Sequence, residues 1–93
     1  MDLVLSAHAL RDLKARSQKL QPVVRIGQAG VSNAFYAALN LALDQHQLVK
    51  VKFESFKSER KRLVPEIAVE VQARVILFVG NTVTLYRPSP NPQ

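Results

Sequence analysis

Pro22-Val23-Val24-Arg25-Ile26-Gly27-Gln28-Ala29-Gly30 is a short β-branched run that breaks into two glycines three positions apart, with helical periodicity on both sides of it. Val23 to Ile26 suits a strand, with Val24 and Ile26 on one side and Val23 and Arg25 on the other. Glycine serves where a backbone takes positive φ or must approach another molecule closely. A Gly-x-x-Gly segment leading from strand into helix is therefore either a plain tight turn or a bare, N–H-rich rim suited to a phosphate. It is not a P-loop, since no Lys-Ser/Thr pair follows, and no third glycine stands where a dinucleotide fingerprint needs one.

Working outward toward the N-terminus, Ser6 is a plausible N-cap, and Leu10, Leu13, Ser17 and Leu20 follow at helical spacing with Arg11, Lys14 and Arg16 outside. Pro22 is expected to end this helix. Beyond the glycines, Ser32 or Asn33 can cap a second helix with the stripe Phe35, Ala38, Leu39, Ala42 and Leu43, running out near His46. Leu48 to Phe53 then alternates, with Val49, Val51 and Phe53 on one face and Leu48, Lys50 and Lys52 on the other. After a loop from Glu54 to Ser58, Ser58 can cap a third helix with the face Leu63, Val64, Ile67, Ala68 and Val71. Pro65 inside that span means that the helix bends there or that its first turn ends before it. The continuous apolar run Val75 to Val79 suggests a central strand covered on both faces, and Gly80-Asn81 is a two-residue hairpin signal from which Thr82 to Tyr86 returns antiparallel.

The order is thus α-β-α-β-α-β-β, two strand-helix-strand crossovers and a hairpin, which implies an α/β fold with a mixed four-stranded sheet packed with three helices. Residues 1–88 read as a single domain and residues 89–93 as a short Pro-rich tail, extended and mobile. At 93 residues one core is adequate but not generous, burying about 60–65% of the unfolded chain's surface. With no cysteine, neither disulfides nor thiolate metal sites support it. Asp2 stands where a signal peptide needs a basic region, and the longest apolar run is far short of a membrane span, so a soluble protein is expected.

The net charge of +6 points to a polyanionic partner, and its distribution is uneven. Six of the thirteen basic residues fall between Lys50 and Arg62, against two acids there. Lys50 and Lys52 share a strand face, Arg60, Lys61 and Arg62 open the next helix, and Lys19, Arg25 and Arg87 lie at element ends. Each can be ordinary solvated charge, but the clustering favours a nucleic-acid footprint. Phe56, inside the basic loop, either stacks on an unpaired base or packs on the core. Catalysis has little support: His8 and His46 are far apart, and no carboxylate pair or metal-ligand spacing stands out. We expect no cofactor, no metal and no enzymatic activity.

Three segments in order carry a family resemblance. They are Leu20-Gln-Pro-Val-Val-Arg-Ile-Gly-Gln-Ala-Gly30, Ala38-Leu-Asn-Leu-Ala-Leu-Asp-Gln-His-Gln-Leu-Val-Lys-Val-Lys52, and Val79-Gly-Asn-Thr-Val-Thr-Leu-Tyr-Arg-Pro88. From Leu5 to Pro88 the chain resembles the YhbY-like proteins of the CRM (chloroplast RNA splicing and ribosome maturation) group. The resemblance implies a fold similar to the C-terminal domain of translation initiation factor three. It also implies RNA binding through the Gly-x-x-Gly loop and adjoining basic surface, and association with precursors of the large ribosomal subunit in the cytoplasm. Gly27 and Gly30 match the loop glycines, Lys50 and Lys52 the basic strand, and Arg87 the arginine after the Leu-Tyr pair. Gln28 and Ala29 differ from the basic residue common inside that loop, which leaves backbone N–H groups and neighbouring charges to hold a phosphate. The basic tail of some members is replaced here by the uncharged Pro88 to Gln93, and Phe56 and Pro65 also depart from the pattern. The expected footprint is therefore Gly27, Gln28, Ala29, Gly30, Lys19, Arg25, Lys50, Lys52, Arg60, Lys61, Arg62 and Arg87. Alternatives are a factor for intron splicing or RNA chaperoning, and a basic module that docks an acidic protein.

Overall fold

A computed structural model describes residues 5–88, so the Pro-rich tail lies outside the described residues. The elements are α1 (Ala7–Ser17), β1 (Val24–Ile26), α2 (Asn33–His46), β2 (Leu48–Phe53), a 3-10 turn (Lys57–Glu59), α3 (Arg60–Glu70), β3 (Arg74–Val79) and β4 (Thr82–Tyr86). The strands form one mixed sheet in the order β1-β2-β4-β3. β1 runs parallel to β2, and β4 runs antiparallel to both β2 and β3.

Alternation along the strands sorts side chains to two faces. Val24, Ile26, Val49, Val51, Phe53, Val83 and Leu85 meet Phe35, Leu39, Ala42 and Leu43 of α2 and Val64, Ile67 and Ala68 of α3 in the main core. On the opposite face, Leu13 of α1 packs with Leu48 and Ile76 in a smaller cluster edged by Leu10, Leu20, Leu77 and Tyr86. Ser32 caps α2, its hydroxyl accepting from the Phe35 N–H at 3.1 Å, and Ser6 caps α1 in the same way through Ala9 at 3.0 Å. The Gly80-Asn81 hairpin is formed, with positive φ at Gly80 (58°) and Val79 paired to Thr82 across it.

Several local expectations are corrected. α1 ends at Ser17, well before Pro22, because Lys19 and Leu20 N–H groups turn back to the Arg16 and Ser17 carbonyls in tighter i→i+3 bonds. Ser58 does not cap α3: a 3-10 turn precedes the helix, Glu59 holds the cap position without a side-chain bond, and the Ser58 hydroxyl donates to the Glu59 carboxylate. α3 runs on through Pro65, whose ring is exposed. Ala38 faces solvent rather than the core.

The apolar run 75–79 lies in an edge strand, not a central one. Both of its faces are partly covered nonetheless, Val75 and Phe78 by the main core and Ile76 and Leu77 by the α1 cluster, while Val79 is exposed. The register slips between Val75 and Leu77, so a bulge lets two consecutive residues face α1. That bulge also blunts the free edge.

One buried polar contact ties α1 to the sheet: the hydroxyls of Ser17 and Thr84, both fully buried, lie 2.5 Å apart. Ser17→Ala leaves the Thr84 hydroxyl without its partner and is expected to cost about 1–3 kcal/mol in urea unfolding. Adding Thr84→Val should recover part of that loss, whereas strictly additive losses would show that the pair is not coupled.

Candidate functional site

Because β1 and β2 are parallel, their C-terminal ends coincide and the loops that leave them start side by side. The Ile26 carbonyl accepts from both the Glu54 N–H (3.0 Å) and the Ser55 N–H (2.9 Å), and the Phe53 N–H donates to the Asn81 carbonyl at 2.8 Å. The Gly27–Gly30 loop, the 54–59 loop and the β3–β4 hairpin are thereby stitched together at one end of the sheet.

Within the first loop the Gly30 N–H donates to the Gly27 carbonyl at 3.0 Å, closing a β-turn with Gln28 and Ala29 exposed at its tip. The two glycines do different work. Gly30 is buried with φ of 71°, and a Cβ there would meet the Phe56 ring at 3.2 and 3.3 Å. Gly27 has open space where its Cβ would be. Only Gly27 therefore presents bare backbone outward, and the Gly30 N–H is already spent on the turn.

The basic residues divide into groups. Arg25 pairs in register with Lys52, and Lys52 with Thr82, on the face that α1 covers only at its other end. Lys50 and Lys52 are half-buried on that face, and Arg25 is exposed with its guanidinium 3.1 Å from Glu54. Lys57 and Lys61 are exposed, and Arg62 makes an exposed i,i+4 pair with Glu66 at 3.2 Å. Arg60 instead braces the end of the molecule, its Nε donating to the Gly80 carbonyl at 2.8 Å and its Nη1 to the Lys57 carbonyl at 2.6 Å.

Lys19 sits in the turn after α1, at the opposite end of the sheet from the glycine loop. Toward that end Arg16, Leu20, Gln21, Val23, His46, Leu48, Val49 and Lys50 line an open cleft of about 360 Å³, near Lys19 but not including it. Arg87 is at that end too, turned inward. Its guanidinium donates to Asn40 Oδ1 (2.8 Å), the Asn40 carbonyl (3.1 Å), the Val71 carbonyl (2.8 Å) and Asp44 Oδ1 (3.0 Å), leaving the side chain 19% exposed. The geometry makes Arg87 a clamp joining the end of β4 to α2 and to the C-terminus of α3, not part of an open cationic surface.

Among the described residues no cluster of three or more His, Cys, Asp or Glu has the placement to hold a metal ion, and no helix is long and apolar enough to cross a membrane. Tyr36 packs edge-on against Phe35 with ring centroids 5.3 Å apart. Burial raises its phenol above the ordinary value, and Glu70 and Glu66 push it further in the same direction. Lys57 is exposed and lies in the basic run from Lys50 to Arg62, although it is not among the footprint residues expected from the sequence. No local signal marks the bracing roles of Arg60 and Arg87, because the Gly80 carbonyl that Arg60 meets and the Asn40, Asp44 and Val71 groups around Arg87 are distant in the chain.

The architecture defines a small mixed α/β domain with a cationic loop end. The chain belongs to the CRS1 / YhbY (CRM) domain family, whose model matches residues 5–87. It is similar to a Haemophilus influenzae protein named RNA-binding protein, 35% identical over 86 residues that make up 91% of this chain and 87% of that one. It is also similar to a Pseudomonas aeruginosa protein named as a probable RNA-binding protein, 25% identical over 97% of this chain and 88% of the other. The solution structure of a hypothetical Staphylococcus aureus protein superposes with a TM-score of 0.77 over 97% of this chain and 95% of that one at 20% identity, showing the same fold.

Arg87 and Tyr36 each give a test. Arg87→Ala should lower stability by about 2–3 kcal/mol in urea unfolding, and Arg87→Lys should rescue it only in part, because an ammonium cannot span the same forked set of acceptors. A phenol whose ionisation is opposed only in the folded state loses stability as pH rises through and beyond about 10. Wild type should therefore lose more stability than Tyr36→Phe on going above that pH, and parallel pH profiles would contradict the assignment.

Proposed function

We propose that this chain is a non-enzymatic RNA-binding domain whose ligand seats on the loop end of the sheet. The observation that carries this reading is the convergence there of the Gly27 turn, the Phe56 loop and cations from separate segments. In this arrangement a sugar-phosphate segment approaches the bare backbone at Gly27 and the exposed Gln28 and Ala29. Lys52, Lys57, Lys61 and Arg62 neutralise flanking phosphates, and Lys50, farther along the same strand face where it also lines the other cleft, adds to them as the ligand extends that way. Arg25 contributes in competition with Glu54. Arg60 supports the surface from beneath, Lys19 reaches only a ligand long enough to extend to the far end, and Arg87 stays with the fold. The relatives' names support RNA as the partner, and the family resemblance supports ribosomal RNA, bound during large-subunit assembly in the cytoplasm.

Four or five phosphate contacts predict that raising salt from about 50 to 200 mM weakens binding by roughly two to three powers of ten. A flat response would remove the cations from the mechanism. Gly30→Asp is not a clean probe of the loop, since positive φ and the Phe56 contact strain any side chain at that position. The double variant Gln28→Glu, Ala29→Glu places charge at the exposed tip. It should reduce RNA affinity about tenfold or more with an unchanged Tm, and unaltered affinity would exclude the turn. Crosslinking in living cells followed by sequencing should concentrate reads on large-subunit ribosomal RNA and its precursors. Reads concentrated on introns or other transcripts would move the biology to splicing or RNA chaperoning, and absence of enrichment would favour a protein partner.

A further inference from the structure

Phe56 holds a backbone conformation that aromatic residues rarely take, with φ of 58° and ψ of 33° in the left-handed region. It stands at the start of the 3-10 turn that leads into α3, so the chain reverses there and presents the side chain next to the Gly27–Gly30 turn. The ring edge faces Gly30: Cε2 and Cζ lie 3.2 and 3.3 Å from where a Cβ would stand, so a side chain there would have to displace the ring by a few tenths of an ångström. Phe56 as a residue is nevertheless 41% exposed. A phenylalanine serving only the core would be drawn under cover, as Phe53 is, with no exposed surface. Here the unusual backbone and the glycine beneath it hold a partly bare aromatic ring at the surface, with Lys57 exposed at the next position.

We propose that Phe56 is a stacking platform for an unpaired base whose backbone lies against the Gly27–Gly30 turn. This rests on the RNA-binding reading above and deepens it by naming the ligand class: a nucleotide in a loop, bulge or end, not a regular duplex. Bases inside a duplex have both faces occupied by their neighbours and cannot take up an aromatic plate, whereas an unstacked base can. Because every base has a π-face, the platform selects for an unpaired base and not for its identity. Gly30 is then needed twice over, for the turn and for the floor under the ring.

The chain has no tryptophan, so Phe56→Trp places a single indole at the site. Two probes are compared, a short RNA hairpin with an adenosine loop and a blunt duplex of the same stem, with binding followed independently by the anisotropy of a label on the RNA. The expected result is that the hairpin quenches the indole saturably along the same isotherm as the anisotropy, while the duplex binds more weakly and leaves the indole unchanged. Phe56→Leu, checked for an unaltered fold by circular dichroism, should bind the hairpin roughly tenfold more weakly and the duplex as well as wild type does. Hairpin binding by anisotropy with no quenching, or equal loss of hairpin and duplex binding in Phe56→Leu, would overturn the stacking role while leaving RNA binding intact. No binding of either probe by the wild-type protein would overturn both.

Discussion

The Ile26 carbonyl is where fold and site depend on the same bonds. It ends the parallel β1–β2 pair, and by accepting from two successive amides, Glu54 and Ser55, it fixes the start of the second loop against the start of the first. A parallel pair brings two strand ends together only if the intervening helix returns the chain across the sheet. α2 does this because Phe35, Leu39, Ala42 and Leu43 bury against the same face as Ile26 and Phe53. Without that packing the Gly27 turn and the Phe56 loop would be separate surface loops.

Charge in this molecule is divided between building the surface and presenting it. Arg60 joins the Gly80 carbonyl to the nearby Lys57 carbonyl and Arg87 satisfies carbonyls of α2 and of Val71, work that the forked guanidinium does and an ammonium does not. The lysines at 57 and 61 are exposed, and those at 50 and 52 line a strand face that α1 leaves partly uncovered. A count of basic residues therefore overstates the footprint, since some of the arginines hold its shape. The glycines divide in a similar way, one supporting Phe56 and the other leaving backbone open.

Most of the fold was legible in the sequence because each element announces itself locally. The alternation of Leu48 to Phe53, the stripe of α2 and the Gly80-Asn81 turn all read without reference to the rest of the chain. What was not legible depends on contacts between distant segments. A continuous apolar run looks like a central strand, and only the placement of α1 and the bulge after Val75 show how an edge strand is partly covered on both faces. Arg87 looked like a free cation because Asn40, Asp44 and Val71 lie far from it in the chain. For Phe56 the sequence left stacking and packing open, and the structure places the ring against Gly30 with part of it bare.

The most direct test of the central claim is to irradiate the purified protein bound to cellular RNA and locate the crosslinked residues by mass spectrometry of its peptides. Nucleotide adducts should fall on residues 25–32 and 50–62, the two segments joined at the Ile26 carbonyl. Adducts confined to the opposite end, around Arg16, Lys19 and His46, would contradict the account, because RNA would then be held by the cleft at that end and not by the glycine turn and its basic loops.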